Sequence, residues 1–115
     1  MDTVVTRMAS LVIPNTNHQG DDLSDVQQQA IEMFMLRFGG ATMYECAGFW
    51  SKSDSVIHGV KIDIAMDTLD ETSDLFLDIV RWVANECGVH SIMATTADGD
   101  VFFIEGDLYD GTKII

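Results

Sequence analysis

Apolar and polar residues alternate, or apolar residues run together, over five stretches of the chain, and both patterns are typical of β-strands. The first stretch ends at Pro14, the only proline, which has no amide to continue a strand ladder. In the third stretch, Lys61 and Asp63 face away from an apolar side that runs from Val56 to Met66. The predicted strands cover residues 3–14, 41–50, 55–66, 90–96 and 101–105.

Two further stretches have the spacing of amphipathic helices. The first opens at Ser24, where Ser24 and Gln27 form a predicted capping box, and it ends near Phe38, before two glycines. One face of this helix carries Val26, Ala30, Met33, Phe34 and Arg37. The second helix follows a capping box formed by Thr68 and Glu71 and closes at Gly88. Its predicted core stripe is Phe76, Ile79, Val80, Val83 and Cys87.

The order of the elements is β-α-β-β-α-β-β, and Asp98-Gly99 supplies the turn of the last hairpin. Two β-α-β crossovers around a central hairpin predict an α+β fold of the ferredoxin-like type. In that fold an antiparallel sheet carries both helices on one face. We therefore expect one domain over residues 1–115, with flexible ends at 1–2 and 107–115.

Charge narrows the classes of partner. Six Lys and Arg stand against nineteen Asp and Glu, which gives a net charge of −13. Nucleic acid and anionic membrane surfaces need clustered basic residues, so neither is expected as a direct partner. The surface suits cations or proteins with basic surfaces instead. No stretch has the length of a membrane span, and the start lacks the pattern of a signal peptide, so we expect a cytoplasmic location.

The cysteine pattern indicates no metal site. Cys46 and Cys87 are far apart in sequence and predict reduced, buried thiols, and no zinc-binding spacing accompanies them. Asp98, Asp100, Glu105, Asp107 and Asp110 offer oxygen ligands without the spacing of a calcium loop. The sequence predicts no metal and no cofactor.

Acidic residues concentrate in the second half of the chain, mainly where the second helix is predicted. The expected partner-binding row is Asp63, Asp67, Asp70, Glu71, Asp74 and Asp78. Most of these recur at helical spacing and share one side. Such a row is usually a solvated face, but it can also imitate nucleic-acid phosphates toward a basic protein groove.

The face of the sheet away from the helices suggests a different function. Strand two carries aromatic residues on both sides, and strand five repeats the pattern, so some rings remain on the uncovered face. Tyr44, Trp50 and Phe102 could stack on a nucleotide-like ring, in a homodimer or another homo-oligomer. The alternative is that the C-terminal tail shields Tyr44 and Trp50.

An enzyme is the third hypothesis, and it depends on His58 with Glu45 or Cys46 on the neighbouring strand. His58 is in phase with apolar Val60 and Ile62, which favours a core histidine instead. No nucleophile elbow, dinucleotide fingerprint or P-loop occurs. We therefore predict no catalytic residue.

Two resemblances complete the picture. Leu23-Ser24-Asp25 and the run RFGGATMYECAGFW, from Arg37 to Trp50, make residues 23–103 resemble an uncharacterised family of small bacterial α+β proteins. That resemblance implies the fold and no activity. In size and charge the chain is similar to small phage inhibitors of bacterial defence, including anti-CRISPR proteins. The leading hypothesis is therefore a non-enzymatic inhibitor, encoded by a phage or a mobile element, that blocks a bacterial defence complex by mimicking nucleic acid. The alternative is a small-molecule-binding homo-oligomer.

Overall fold

A computed structural model describes residues 7–17, 19–38, 40–50, 55–66, 69–88 and 91–105. The elements are β1 (Arg7–Pro14), α1 (Ser24–Phe38), β2 (Ala41–Trp50), β3 (Ser55–Met66), α2 (Leu69–Cys87), β4 (Ser91–Thr95) and β5 (Val101–Glu105). The predicted order is confirmed, and β2 and β3 have the predicted bounds. The predicted start of the first strand, the Thr68 cap and both flexible ends lie outside the described residues.

The strands form one sheet in the order β2-β3-β1-β4-β5, and every neighbouring pair is antiparallel. This is the order that two interlocked β-α-β units produce, with β5 added beside β4 by a hairpin. The α+β, ferredoxin-like fold class is therefore confirmed.

The core lies between the sheet and the two helices. Alternate residues of β1 and β3 are buried, and Leu11 faces Ile62 across the ladder. The helices meet through Phe34 and Phe76, whose ring centroids are 5.9 Å apart. The predicted α2 stripe is confirmed. Among the residues whose burial the structure describes, the core contains Ala9, Leu11, Ile13, Leu23, Ala30, Phe34, Val60, Ile62, Ile64, Met66, Phe76, Ile79, Val80, Val83, Ala84, Cys87, Ile92 and Ala94. Arg37, predicted on the inner face of α1, is exposed.

The predicted capping box at α1 is wrong. Asp22 caps the helix instead, because its Oδ1 accepts the Ser24 amide at 2.9 Å. Gln27 is only 7 % exposed and points into the protein. Its Nε2 donates to the carbonyl oxygens of Ile13 and Pro14 at 3.3 and 3.0 Å and to Asn15 Oδ1 at 2.9 Å. Gln27 therefore binds the end of β1 to α1.

Two predicted glycine positions are confirmed by positive φ angles. Gly88 (φ +64) follows the last residue of α2, and Gly99 (φ +96) lies in the β4–β5 turn. In that turn the Gly99 amide donates to the Thr96 carbonyl at 2.9 Å. Beside Gly99, Asp98 Oδ1 lies 3.7 Å from Nη1 of Arg7 at the start of β1.

The β2–β3 hairpin extends past the end of β1. Pro14, the last residue of β1, pairs with Gly59, whereas β2 and β3 remain paired as far as Trp50 and Ser55. In this extension Val56 and Ile57 are 46 % and 42 % exposed. The helices therefore cover the base of the hairpin and leave its far part uncovered.

Candidate functional site

Both helices lie against one face of the sheet, so the opposite face is uncovered. We call this opposite side the open face. It carries the alternate strand residues that are absent from the core. Its members, assigned by pairing register, are Met8, Ser10, Val12, Pro14, Thr42, Tyr44, Cys46, Gly48, Trp50, Ser55, Ile57, Gly59, Lys61, Asp63, Ala65, Ser91, Met93, Thr95, Val101, Phe103 and Glu105.

A polar cluster lies on the open face at the base of the β2–β3 hairpin, and we call Tyr44, Lys61 and Asp63 the polar cluster. Tyr44 pairs directly with Lys61, and its hydroxyl reaches diagonally to donate to Asp63 Oδ2 at 2.9 Å. Lys61 Nζ is 3.9 Å from Asp63 Oδ1. The Lys61 and Asp63 side chains are 38 % and 24 % exposed, so each is partly desolvated but open to a ligand.

Apolar side chains extend the surface from the polar cluster across the other strands. Val12 on β1 pairs with Lys61 and is half-buried. Met93 on β4 pairs with Phe103 on β5, whose side chain is 53 % exposed. An exposed aromatic ring and polar groups beside apolar floor residues are the usual parts of a small-molecule site.

The charges on this face differ from those of the chain as a whole. Among the strand residues described on the open face, Lys61 is the one base, and Asp63 and Glu105 are the acids. A ligand with a carboxylate would therefore find its cation at Lys61.

Cys46 adjoins the polar cluster and is half-buried, not fully buried as predicted. Burial raises the pKa of the Cys46 thiol, and the charge of Lys61 acts in the opposite direction. Cys87 is buried as predicted, and desolvation with the nearby Glu86 raises its pKa to about 12. Both cysteines are free thiols.

The three aromatic residues proposed for ring stacking are not brought together. Tyr44 and Trp50 share the phase of the open face, but six residues of strand separate them by about 20 Å. Phe102 pairs with the buried Ala94, so its position belongs to the helix side of the sheet. Phe103 takes the open-face position instead. Because Phe102 and Phe103 are adjacent and identical, the sequence does not indicate which of them lies on the open face.

The acidic row is also divided. Asp63 lies on the open face, whereas Asp74 and Asp78 are exposed on α2, across the sheet from it. Asp78 Oδ1 lies 3.8 Å from Arg81 Nη1 on the same helix. Asp67 lies outside the described residues, and Asp70 and Glu71 are placed only as positions on α2. The described members therefore do not form one continuous surface with Asp63.

The pairing register decides among the candidates around His58. His58 pairs with Ala47 and Cys46 with Gly59, so His58 and Cys46 occupy opposite faces. Glu45 shares the phase of His58. The expected core histidine is wrong, because His58 lies in the hairpin extension and is exposed.

The described residues contain no group of three or more His, Cys, Asp or Glu side chains that could hold a metal ion. In the same part of the chain, no helix is long and apolar enough to cross a membrane.

Solved structures supply the comparison for this fold. A phage SAM lyase in complex with S-methyl-5′-thioadenosine matches with a TM-score of 0.70 and 14 % identity, over 96 % of this chain and 98 % of that one. A phage SAM lyase in its apo state matches with a TM-score of 0.63 and 16 % identity, over the same shares. At these identities the likeness shows a common fold. No protein-family model and no curated protein matches the sequence.

These findings correct the functional expectations. The resemblance to an uncharacterised family is wrong, because the solved structures that share this fold are those of a phage SAM lyase. The anti-CRISPR hypothesis of a non-enzymatic nucleic-acid mimic is also wrong, because the structures that share the fold are enzymes acting on a small molecule. That hypothesis was based on chain size and net charge, and neither property depends on the fold. The alternative of small-molecule binding agrees better with the comparison.

Proposed function

We propose that this protein is a lyase that cleaves S-adenosylmethionine (SAM), and that the open face holds the substrate. The polar cluster carries this proposal, since it sets a hydroxyl, a carboxylate and an ammonium on an apolar surface. The fold that presents this cluster matches a phage SAM lyase over 96 % of the chain.

The residues of the open face suit the parts of SAM. The ring of Phe103, 53 % exposed, offers a flat apolar surface for adenine. Val12 and Met93 supply half-buried apolar contacts between Phe103 and the polar cluster. Asp63 and Lys61 supply charges for a ligand that is itself charged.

The proposed reaction breaks the bond between sulfur and the four-carbon amino-acid chain. S-methyl-5′-thioadenosine keeps the methyl and adenosyl groups on sulfur, so these two bonds survive. The sulfur takes the electron pair of the broken bond and becomes a neutral thioether. The four-carbon fragment completes its valence by losing a proton to the solvent or by closing onto its own carboxylate, and neither route adds water to the product.

An apolar surface favours this change of charge. The sulfonium is a cation in the substrate and is neutral in the product. Because low polarity disfavours a charge, contacts to Val12, Met93 and Phe103 destabilise the sulfonium relative to the thioether. This protein therefore needs no metal or redox group for the proposed step.

The test is a direct assay of the purified protein with SAM. Mass spectrometry should show S-methyl-5′-thioadenosine accumulating together with a four-carbon product that has not gained water. Tyr44→Phe, which removes the hydroxyl that holds Asp63, should lower the rate. Asp78→Asn, on α2 across the sheet, is the matched control and should leave the rate at 0.15 M salt unchanged.

Two results would count against the proposal. Absence of product with a folded protein would overturn lyase activity. Saturable binding of SAM without cleavage would replace it with a binding or sequestering function, which is the alternative that the sequence suggests. Because SAM is an intracellular metabolite, we expect the protein to act in the cytoplasm.

A further inference from the structure

We propose that Lys61 and Asp63 bind the zwitterionic amino-acid end of the ligand, with Lys61 on its carboxylate and Asp63 on its ammonium. This inference rests on the proposed function, since it assigns parts of SAM to the polar cluster. It adds a criterion for ligand selection, because the protein would distinguish SAM from the thioadenosine product by that end of the molecule.

The Lys61–Asp63 contact is loose enough to exchange partners. Its 3.9 Å separation is well beyond the roughly 2.7–2.9 Å of a strong charge-assisted hydrogen bond. A partly exposed pair at this distance contributes little to stability, so opening it costs little. A ligand that offers both a carboxylate and an ammonium replaces the one weak contact with two strong ones.

Tyr44 leaves Asp63 free to make its part of this contact. The Tyr44 hydroxyl donates to Asp63 Oδ2, and among the described residues Oδ1 has the distant Lys61 ammonium beside it. Each carboxylate oxygen can accept more than one hydrogen bond, so Oδ1 can accept an ammonium. The tyrosine thereby fixes the carboxylate and does not compete with the ligand for it.

The positions of the two residues suit a ligand whose carboxylate and ammonium are attached to the same carbon atom. Lys61 and Asp63 are two residues apart on β3, so both side chains project from the same face. The flexible stem of Lys61 allows its ammonium to move from Asp63 to a carboxylate that lies between them.

The reaction itself argues against placing Asp63 beside the sulfonium. A carboxylate in that position would stabilise the positive charge that disappears as the bond breaks, and it would slow the cleavage. Beside the ammonium, whose charge persists, the carboxylate binds the reactant and the transition state equally. Asp63 therefore contributes to affinity without opposing the bond cleavage.

Three ligands test the assignment. SAM carries both the carboxylate and the ammonium, decarboxylated SAM carries only the ammonium, and S-methyl-5′-thioadenosine carries neither. Dissociation constants are measured by titration calorimetry, or as Michaelis and inhibition constants where the ligand is consumed. Unfolding curves verify that each variant is folded.

Each variant should show its own pattern. Lys61→Gln should weaken the binding of SAM roughly tenfold or more, because one charge-assisted contact is lost. The dissociation constants of the other two ligands should not change. Asp63→Asn should weaken the binding of both ligands that carry the ammonium and leave the binding of the thioadenosine unchanged. Lys61→Arg should recover most of the affinity for SAM. Arg81→Gln removes a positive charge from α2 and, at 0.15 M salt where distant charges are screened, should change the affinity for none of the three.

The outcomes separate this inference from the proposed function. If the unchanged protein neither binds nor cleaves SAM, both fail together. If it binds or cleaves SAM, but Lys61→Gln weakens all three ligands equally or none of them, only the assignment of the amino-acid end is overturned.

Discussion

At the scale of single residues, Cys46 reports on whether a ligand occupies the open face. Its half-buried thiol lies on the same face as Tyr44 and next to Lys61, so a bound ligand should cover it. We expect iodoacetamide to modify Cys46 in the folded protein and Cys87 only after unfolding. Saturating S-methyl-5′-thioadenosine should slow the reaction at Cys46, as followed by mass spectrometry.

Methionine at the same concentration is the control ligand for this experiment, because it lacks the adenosyl group. An alkylation rate at Cys46 that is the same with and without the thioadenosine, at a concentration where binding is independently measured, would place the ligand elsewhere.

Cys87 makes the stability depend on pH in the alkaline range. Its folded pKa of about 12 lies above the unfolded value, so folding favours the protonated thiol. This contribution is complete below the unfolded pKa of about 8.5 and is lost as the pH rises toward 12. Between pH 7 and pH 10, the free energy of unfolding should fall by on the order of 1–2 kcal/mol through this group.

Urea unfolding of the unchanged protein and of Cys87→Ala measures this contribution. The alanine variant subtracts the effect of every other group in the protein. The variant should be less stable at pH 7, because it leaves a small cavity, and its stability should fall less between the two pH values. Equal losses in the two proteins would contradict the prediction.

At the scale of elements, Gly59 determines how the β2–β3 hairpin passes β1. A Cβ atom at this position would lie 2.5 Å from the Ile13 carbonyl oxygen and 3.0 Å from Pro14 Cα. Both obstacles are backbone, so neither can rotate away. Gly59→Ala should lower the free energy of unfolding by about 1–3 kcal/mol, since the two strands must move apart.

Gly40→Ala is the matched control for Gly59→Ala. A Cβ at Gly40 meets nothing within 4 Å, and Gly40 is not among the glycines with a positive φ angle. Thermal unfolding of both variants should therefore show a shift for Gly59→Ala only. An equal shift in the two would mean that glycine flexibility, not strand proximity, sets the cost.

The elements could be predicted from the sequence because each has its own period and end signals. The alternation in β2 and β3, the α2 stripe and Gly88 depend on neighbouring residues alone. The contacts of Gln27 could not be predicted from neighbouring residues. The sequence suggests a local cap, but burial against β1 gives Gln27 three partners that are 12 to 14 residues away.

The candidate site depends on strand pairing, which a single sequence does not determine. The alternation indicates that Lys61 and Asp63 share one side of β3. Their contact with Tyr44 requires the order β2-β3 and a register that pairs Tyr44 with Lys61. A shift of one residue would have put Glu45, not Tyr44, on that face. The uncovered face was therefore predictable, and the chemistry on it was not.

At the scale of the whole molecule, the net charge of −13 takes on a different meaning once a ligand is proposed. SAM carries a sulfonium, an ammonium and a carboxylate, so its net charge at neutral pH is positive. S-methyl-5′-thioadenosine has no net charge. An acidic protein attracts the substrate over a long range and has no such attraction for the product. The charge then favours substrate capture and product release without any contact at the site.

Salt dependence tests this role of the charge. The screening length falls from about 30 Å at 0.01 M salt to about 8 Å at 0.15 M. Over this range the affinity for SAM should weaken roughly three- to tenfold, while the affinity for the thioadenosine stays constant.

The double variant Asp74→Asn, Asp78→Asn separates the field of the whole molecule from the local effect of Asp63. Both aspartates are exposed on α2, across the sheet from the open face, and their replacement reduces the net charge from −13 to −11. If the whole charge attracts the substrate, this variant should bind SAM more weakly at 0.01 M salt and normally at 0.15 M. Salt dependence that is unchanged in the variant would assign the attraction to the open face alone, and equal salt dependence for the two ligands would exclude electrostatic selection between them.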